Sequence, residues 1–226
     1  PYGGEKEFKK FVKRELVYPD SAQKHNIEGE VFITFKIDNK ANVVFKEIAD
    51  NTPLILRKEA SRIFDKIVWE KDTTRSNPDI GFEKLSIDFN LKKYGKLVKK
   101  RGYDALPNAI NPYEYSELFY SINQVDEKPQ FNATENFNKF IQDNFKYPNI
   151  ALQQGISGRV TVEFIIEPYG LATNIRVKEA VGGGCNEETM RLVRLMSWKP
   201  AKKDGKLVRC HYEYQLNFVN PGGSIR

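Results

Sequence analysis

Two histidines, His25 and His211, are the first side chains to consider for catalysis or metal binding in this 226-residue chain. His25 lies in a predicted loop, and His211 lies at an outward position of a predicted strand. Neither has a second His, a Cys or a carboxylate at a spacing typical of a metal site. The sequence also contains no Gly-x-Ser-x-Gly turn and no phosphate-binding loop. We therefore expect no enzymatic activity, no catalytic residue, no cofactor and no bound metal.

Three consecutive glycines, Gly182, Gly183 and Gly184, precede a predicted helix. Backbone N–H groups at a helix N-terminus can bind an anion. The segment lacks the Lys and the following Ser or Thr that phosphate loops carry. A structural turn is therefore the favoured interpretation.

The elements that would position such residues occur twice, because the chain matches itself without a gap at an offset of 129 residues. The 15 identical pairs between residues 7 and 90 include costly residue types, for example the Tyr-Pro pair at Tyr18 and Tyr147, and the tryptophans Trp69 and Trp198. A repeat of this length indicates a whole domain present in two copies.

Each copy shows the same order of hydrophobic periodicities. An amphipathic helix ends at Tyr-Pro, because proline disfavours the helical conformation of the residue before it. A strand with one apolar face follows, then a second strand near 42–48 or 171–179, a second amphipathic helix, and a last strand over 85–91 or 208–218. We predict an α+β fold in which each copy is a three-stranded antiparallel sheet of order 2-1-3 with two helices on one face. The last strand is then an edge strand.

The predicted domains span residues 1–91 and 129–226, joined by a connecting segment over 92–128. This segment is too aromatic for a loose linker, so we expect it to pack against one or both domains. Its aromatic residues are Tyr94, Tyr103, Tyr113, Tyr115, Phe119 and Tyr120. The net charge of +6 is concentrated there and in the second copy. We interpret the basic run between Lys92 and Arg101 as a solvated surface, and we expect no nucleic-acid partner.

The cysteines, Cys185 and Cys210, could form a disulfide if the protein is exported. Cys185 aligns with the apolar Leu56 of the first copy, and Cys210 has the inward register of its strand. The 2-1-3 order puts them on the order of 25 Å apart, beyond disulfide reach. We expect both thiols to be free and buried.

The second copy carries motifs of a known family. They are Tyr147-Pro148, Ile156-x-Gly158, Gly182-Gly183-Gly184 and Trp198-Lys199-Pro200-Ala201, followed by Leu216-Asn217-Phe218. In order and spacing these resemble the C-terminal domain of TonB energy transducers, in tandem copies of the type found in Bacteroidetes. The first copy resembles the family less closely, since Ala41 replaces the turn glycine and Lys71 replaces the proline after Trp.

The resemblance implies a non-catalytic, periplasmic module that captures an extended segment of an outer-membrane receptor by adding it to an edge strand. It implies coupling to an inner-membrane proton-channel complex only through an N-terminal anchoring part that is absent from this chain. By the same resemblance the partner-binding residues are Tyr147, Pro148, Val208, Arg209, Cys210, His211, Tyr212, Glu213, Tyr214 and Gln215, with Arg209, His211, Glu213 and Gln215 pointing outward. The alternative is a structural or peptidoglycan-proximal envelope adaptor that transduces no energy.

Overall fold

The computed structural model describes residues 1–70, 81–106, 118–132 and 136–220. By its internal packing the chain divides into two units, residues 1–113 and 114–226. None of the helices within the described ranges is long and apolar enough to cross a membrane.

The first unit contains four helices and one sheet within its described residues. The helices are α1 (Gly4–Glu15), α2 (Asp20–Lys24), α3 (Leu54–Asp65) and α4 (Leu91–Arg101), and the strands are β1 (Gly29–Ile37), β2 (Val43–Ile48) and β3 (Glu83–Phe89). The strand order is β2-β1-β3 and both pairings are antiparallel, so the predicted 2-1-3 order is confirmed. The core lies between the helices and the inward side chains of β1, namely Val31, Ile33, Phe35 and Ile37.

The second unit repeats this plan with additional short strands. Its elements are β4 (Phe119–Tyr120), β5 (Gln130–Phe131), α5 (Phe137–Asn144), α6 (Asn149–Gln153), β6 (Gly158–Ile166), β7 (Ala172–Glu179), α7 (Cys185–Leu195), β8 (Trp198–Lys199), β9 (Ala201–Lys203) and β10 (Lys206–Phe218). The sheet has the order β4-β10-β6-β7, and β9 also pairs with β10. Its three long strands therefore keep the predicted order, with β6 central. The sequence prediction missed β4 and β9, which add to the three predicted strands of the sheet.

The connecting segment packs at both of its ends. Helix α4 buries Tyr94 in the first core, and the Arg101 guanidinium donates to the carbonyls of Lys13 and Leu16 at the end of α1. At the other end, β4 joins the second sheet. Tyr113 and Tyr115 lie outside the described residues. The domain limits 1–91, 92–128 and 129–226 stay a prediction. Helix α4 and strand β4 each pack with the domain beside them.

A Glu–Arg ion pair that occurs in both copies explains why these two residue types are identical in the repeat. In the first domain the Glu59 carboxylate accepts the Val17 N–H at 2.9 Å and the Arg62 guanidinium, and Arg62 Nη2 donates to the Glu15 carbonyl at 2.7 Å. Both side chains are buried. The pair thus fastens α3 to the backbone that leads into Tyr-Pro.

The second domain repeats this connection with its own pair. Glu188 accepts the Lys146 N–H at 2.7 Å, and Arg191 donates to Glu188 and to the Asn144 carbonyl. We call this arrangement the Glu–Arg clamp in both domains. The tyrosine that follows it is held in the same way twice, since the Tyr18 hydroxyl donates to the Ile27 carbonyl and the Tyr147 hydroxyl to the Ile156 carbonyl.

The glycine triplet is a packed turn. All three residues have positive φ, and a Cβ at Gly183 would lie 2.7 Å from Ile156 and 3.1 Å from Ala151. Only glycine combines this backbone conformation with so close an approach. Cys185 follows the turn and Cys210 lies on β10, and both thiols are free and fully buried, as predicted. Burial raises the pKa of the Cys210 thiol to about 11.

The turn between the first two strands supplies a matched test of backbone strain. Gly170 has φ 83°, and a Cβ there would lie 2.3 Å from the Trp198 carbonyl oxygen. Ala41, its counterpart, already adopts φ 66°. We expect Gly170→Ala to lower the free energy of unfolding by more than about 2 kcal/mol, through strain and backbone displacement. We expect Ala41→Gly to raise it by up to about 1 kcal/mol.

Urea unfolding followed by tryptophan fluorescence measures both effects, because Trp69 reports on the first domain and Trp198 on the second. Equal and small effects of the two substitutions would contradict the close approach of Gly170 to the Trp198 carbonyl oxygen.

Candidate functional site

The last strand of the second domain, β10, pairs with β6 along its length from Cys210 to Phe218. Its other edge is covered only at the start. On that edge β4 pairs in parallel with Arg209 and Cys210. Strand β9 pairs with residues 206–208, which precede the segment that β6 pairs. No other described strand pairs with residues 211–218. We call this part of β10 the open edge.

The connecting segment holds β4 and β9 in place. The N–H groups of Asp126 and Glu127 donate to the Lys202 carbonyl, and the Asp204 N–H donates to the Asp126 carboxylate at 2.6 Å. The Lys203 ammonium lies 5.5 Å from the centre of the Tyr120 ring. Residues 118–127 therefore block the beginning of β10 from inside the same domain.

Three of the residues predicted to bind a partner lie in this covered part, namely Val208, Arg209 and Cys210. Cys210 is fully buried, and Arg209 is only 2% exposed. The expectation that Arg209 points outward to a partner is therefore wrong. Its guanidinium donates to both oxygens of the buried Glu167 at 3.0 to 3.2 Å.

Glu167 also accepts the Thr173 hydroxyl at 2.6 Å, so Arg209 belongs to a buried polar network. Outward residues of β6 such as Thr161 and Glu163 are buried as well. The prediction that each strand has only one buried face consequently fails for the second sheet. Alternation along the strand showed which face each residue takes, but it could not show that polar residues of the outer face would be paired and buried.

The remaining predicted residues of the strand lie on the open edge: His211, Tyr212, Glu213, Tyr214 and Gln215. Tyr212 and Tyr214 are half-buried and pack against the second core. Burial raises the pKa of the Tyr214 hydroxyl to about 12, so this group stays protonated at neutral pH. His211, Glu213 and Gln215 alternate with them and lie on the opposite face of the sheet.

The hydrogen-bonding direction of the open edge follows from alternation. The Glu167 N–H donates to the carbonyl of Leu171, the residue directly before β7. Odd-numbered residues of β6, including Thr161, therefore direct their backbone groups toward β7. Gln215 lies opposite Thr161 in the antiparallel register. Backbone groups of such a pair face away from each other, and the Gln215 N–H and C=O therefore point to the open edge. The same holds for His211, Glu213 and Asn217.

Tyr147 and Pro148 lie at the far end of this strand. The Tyr147 ring packs edge-on against Phe218 with centroids 5.7 Å apart, and Pro148 lies under the glycine turn, close to Gly184. The structure thus brings the Tyr-Pro pair together with the end of the open edge and not with the start of β10 at residues 206–210.

A group of side chains that the sequence analysis missed lies on the outer face of the same strand. Atoms of Glu163, His211 and Glu213 that could bind a metal all lie within 4.8 Å of one another. His211 Nε2 is 3.1 Å from Glu163 Oε2. Arg176 pairs with the other oxygen of Glu163, and Lys178 pairs with Glu213 at 2.6 Å. The hydrogen bond to Glu213 raises the pKa of Lys178. The expectation that no carboxylate lies near His211 was therefore wrong.

The signal that could have found this group is the spacing of His211 and Glu213, two residues apart on one face of a strand. Glu163 comes from another strand, 48 residues earlier. Its position opposite Glu213 depends on the strand register. The sequence pattern predicts which strands pair but not the register in which they pair.

Comparison with known proteins identifies the repeated unit. The sequence profile of the family described as the Gram-negative bacterial TonB protein C-terminal matches residues 14–91 and 143–219. No curated protein matches the chain. Among solved structures, the solution NMR structure of the Pseudomonas aeruginosa TonB C-terminal domain is similar, with 24% identity and a TM-score of 0.34 over 46% of this chain and 97% of that one.

The buried ion pair between Glu167 and Arg209 leads to a prediction about the stability of the second domain. Replacing Arg209 by Met leaves the Glu167 carboxylate buried without its main cation, which costs about 3 kcal/mol or more of unfolding free energy. Lys178→Met is the matched control, because it removes an ion pair whose side chains are 48% and 40% exposed. That change is expected to cost less than about 1 kcal/mol.

Chemical denaturation of the two variants measures the difference. A double variant, Glu167→Gln with Arg209→Met, should recover part of the loss because it removes both charges. Equal stability of Arg209→Met and Lys178→Met would show that the buried pair is not needed for the sheet.

Proposed function

Since this chain belongs to the Gram-negative bacterial TonB C-terminal family, we propose that its second domain captures an extended segment of an outer-membrane receptor. The segment adds as a new strand to the open edge of β10. Family membership suggests a periplasmic domain with a TonB-like role and no enzymatic chemistry. The observation that carries the proposal is the unpaired edge at residues 211–218, in a strand whose other edge is fully paired with β6.

The backbone provides the binding energy in this proposal. His211, Glu213, Gln215 and Asn217 each direct one N–H and one C=O to the open edge, and an incoming strand satisfies them whatever its sequence. A typical backbone hydrogen bond contributes a net 0.5 to about 1.5 kcal/mol. Several such bonds give an affinity that is moderate and reversible, as suits a contact that must be made and released.

The side chains beside this edge supply selectivity. On one face the incoming strand passes the half-buried Tyr212 and Tyr214, and on the other it passes His211, Glu213 and Gln215. Strand β4 ends at Tyr120, opposite Cys210, and so limits how far a partner extends toward the start of β10. A strand of about eight residues fits between this barrier and Phe218.

Coupling to the proton-motive force belongs to the same proposal. In it, force from an inner-membrane proton-channel complex reaches the second domain through a part of the protein N-terminal to this chain. The captured receptor segment is then pulled along the direction of β10. The hydrogen bonds of an added strand resist such a load together, because they lie across the strands and a pull along the strand loads them all at once.

The test uses the whole 226-residue chain labelled with ¹⁵N and synthetic peptides from the N-terminal segments of outer-membrane receptors. We expect amide shifts confined to residues 211–218 and to the neighbouring Tyr147. Gln215→Pro removes an N–H that points to the open edge, and it should weaken binding about tenfold relative to Gln215→Ala.

Ser86 is the counterpart of Gln215 in the first domain and provides the control. Ser86→Pro should leave binding to the second domain unchanged. Peptide-induced shifts that avoid residues 211–218, or equal affinities for the Pro and Ala variants of Gln215, would contradict strand addition at this edge.

A further inference from the structure

The carboxylates and the imidazole on the outer face of the second sheet converge on one point. We propose that Glu163, His211 and Glu213 bind a divalent zinc ion. The three side chains come from two adjacent strands, β6 and β10, and their potential ligand atoms lie within 4.8 Å of one another. This inference does not depend on strand addition.

The distance between His211 Nε2 and Glu163 Oε2 is compatible with a metal ion bound to both. Zinc binds imidazole nitrogen at about 2.0 to 2.1 Å and carboxylate oxygen at about 2.0 to 2.2 Å. Two such ligands in a tetrahedron lie about 3.4 Å apart. His211 Nε2 and Glu163 Oε2 are 3.1 Å apart, so a zinc ion can bridge them after a shift of a few tenths of an ångström.

The third ligand has room to move. Glu213 has a side chain that is 40% exposed, and only one of its oxygens, Oε1, accepts a hydrogen bond from a described residue, Lys178. The other oxygen is available for a metal after a small rotation of the side chain. Three protein ligands leave a fourth position for water or for a group on a partner, as in zinc sites that exchange their ligands.

The surrounding groups are arranged as an outer shell. Arg176 pairs with Oε1 of Glu163, and Oε2 of the same carboxylate lies beside His211. Lys178 holds Glu213 in the same manner. Outer groups that hydrogen-bond the ligands orient them and affect metal affinity. Glu163 is only 4% exposed and is therefore fixed in place, whereas His211 and Glu213 are partly exposed and give the ion a route from solvent.

The positive charges of Arg176 and Lys178 determine the zinc affinity that we expect. Arg176 and Lys178 balance the charges of Glu163 and Glu213, and they repel a dication at short range. Affinity in the micromolar range is therefore expected rather than the tight binding of structural zinc sites. One imidazole with two carboxylates favours zinc over magnesium or calcium, which prefer ligands that are all oxygen.

Zinc binding to the whole chain, freed of metal with EDTA, is measured by isothermal titration calorimetry. Cobalt(II), whose tetrahedral complexes absorb visible light, serves as a spectroscopic substitute. We expect one zinc ion per chain, a visible cobalt band, and a rise in the thermal unfolding temperature of the second domain, because the ion binds the folded state and joins β6 to β10.

Three variants separate a metal site from a network of ion pairs. His211→Ala and Glu213→Gln should each weaken zinc binding at least about tenfold, as loss of a ligand does. His25→Ala removes the other histidine, whose Nδ1 lies 2.8 Å from the Ser21 carbonyl oxygen, and should leave affinity unchanged. Lys178→Met should tighten binding a few-fold, because it removes a repelling charge and frees an oxygen of Glu213.

If His211→Ala perturbs the fold, the effect of Lys178→Met on zinc affinity still tests the proposal. The proposal is overturned if zinc at millimolar concentration does not bind, if His211→Ala and His25→Ala weaken binding equally, or if Lys178→Met weakens it. Strand addition is measured in the presence of EDTA and stands or falls separately.

Discussion

Both domains depend on the Glu–Arg clamp, because it fixes the point at which the chain passes from its first helix into the Tyr-Pro segment. The clamp joins a helix that covers the sheet to backbone groups at the end of another helix, which otherwise lack partners. In the first domain Glu59 is fully buried and Arg62 nearly so, and in the second Glu188 is buried while Arg191 is partly exposed. A buried ion pair adds little net stability, but breaking it leaves a buried charge. Its value here is positional.

Further contacts along the chain position the rest of the domain relative to the clamp. The tyrosine hydroxyl of Tyr-Pro donates to the carbonyl two residues before the first strand, at Ile27 and Ile156. The strand then begins at Gly29 or Gly158 and runs through the centre of the sheet. In the second domain Tyr147 also packs against Phe218, the last residue of β10. The clamp therefore indirectly sets where the open edge ends, while β4 sets where it begins.

Much of this architecture could be predicted from periodicity and the repeat. The strands and their order follow from periodicities that both copies show, whereas the buried cysteines and the structural glycine turn follow from the sequence of the second copy. What could not be predicted depends on contacts between distant segments. The pairing of Phe119 with Arg209 and the ion pair between Glu167 and Arg209 each join residues more than 40 positions apart. Alternation alone assigns Arg209 to the outer face and hence to solvent, because it carries no information about what covers that face.

The two domains differ most where the repeat is least alike, on the outer face of the sheet. Phe32 and Lys36 of β1 stay at least partly exposed, whereas their counterparts Thr161 and Ile165 are buried. The last strand has 7 residues in the first domain and 13 in the second. Since the clamp and the Tyr-Pro contact are retained in both, the difference reflects the surface and not the scaffold. A longer edge strand, closed at one end by its own connecting segment, exposes only a short stretch of backbone. This limits unspecific pairing with other strands, which is the general hazard of an exposed edge.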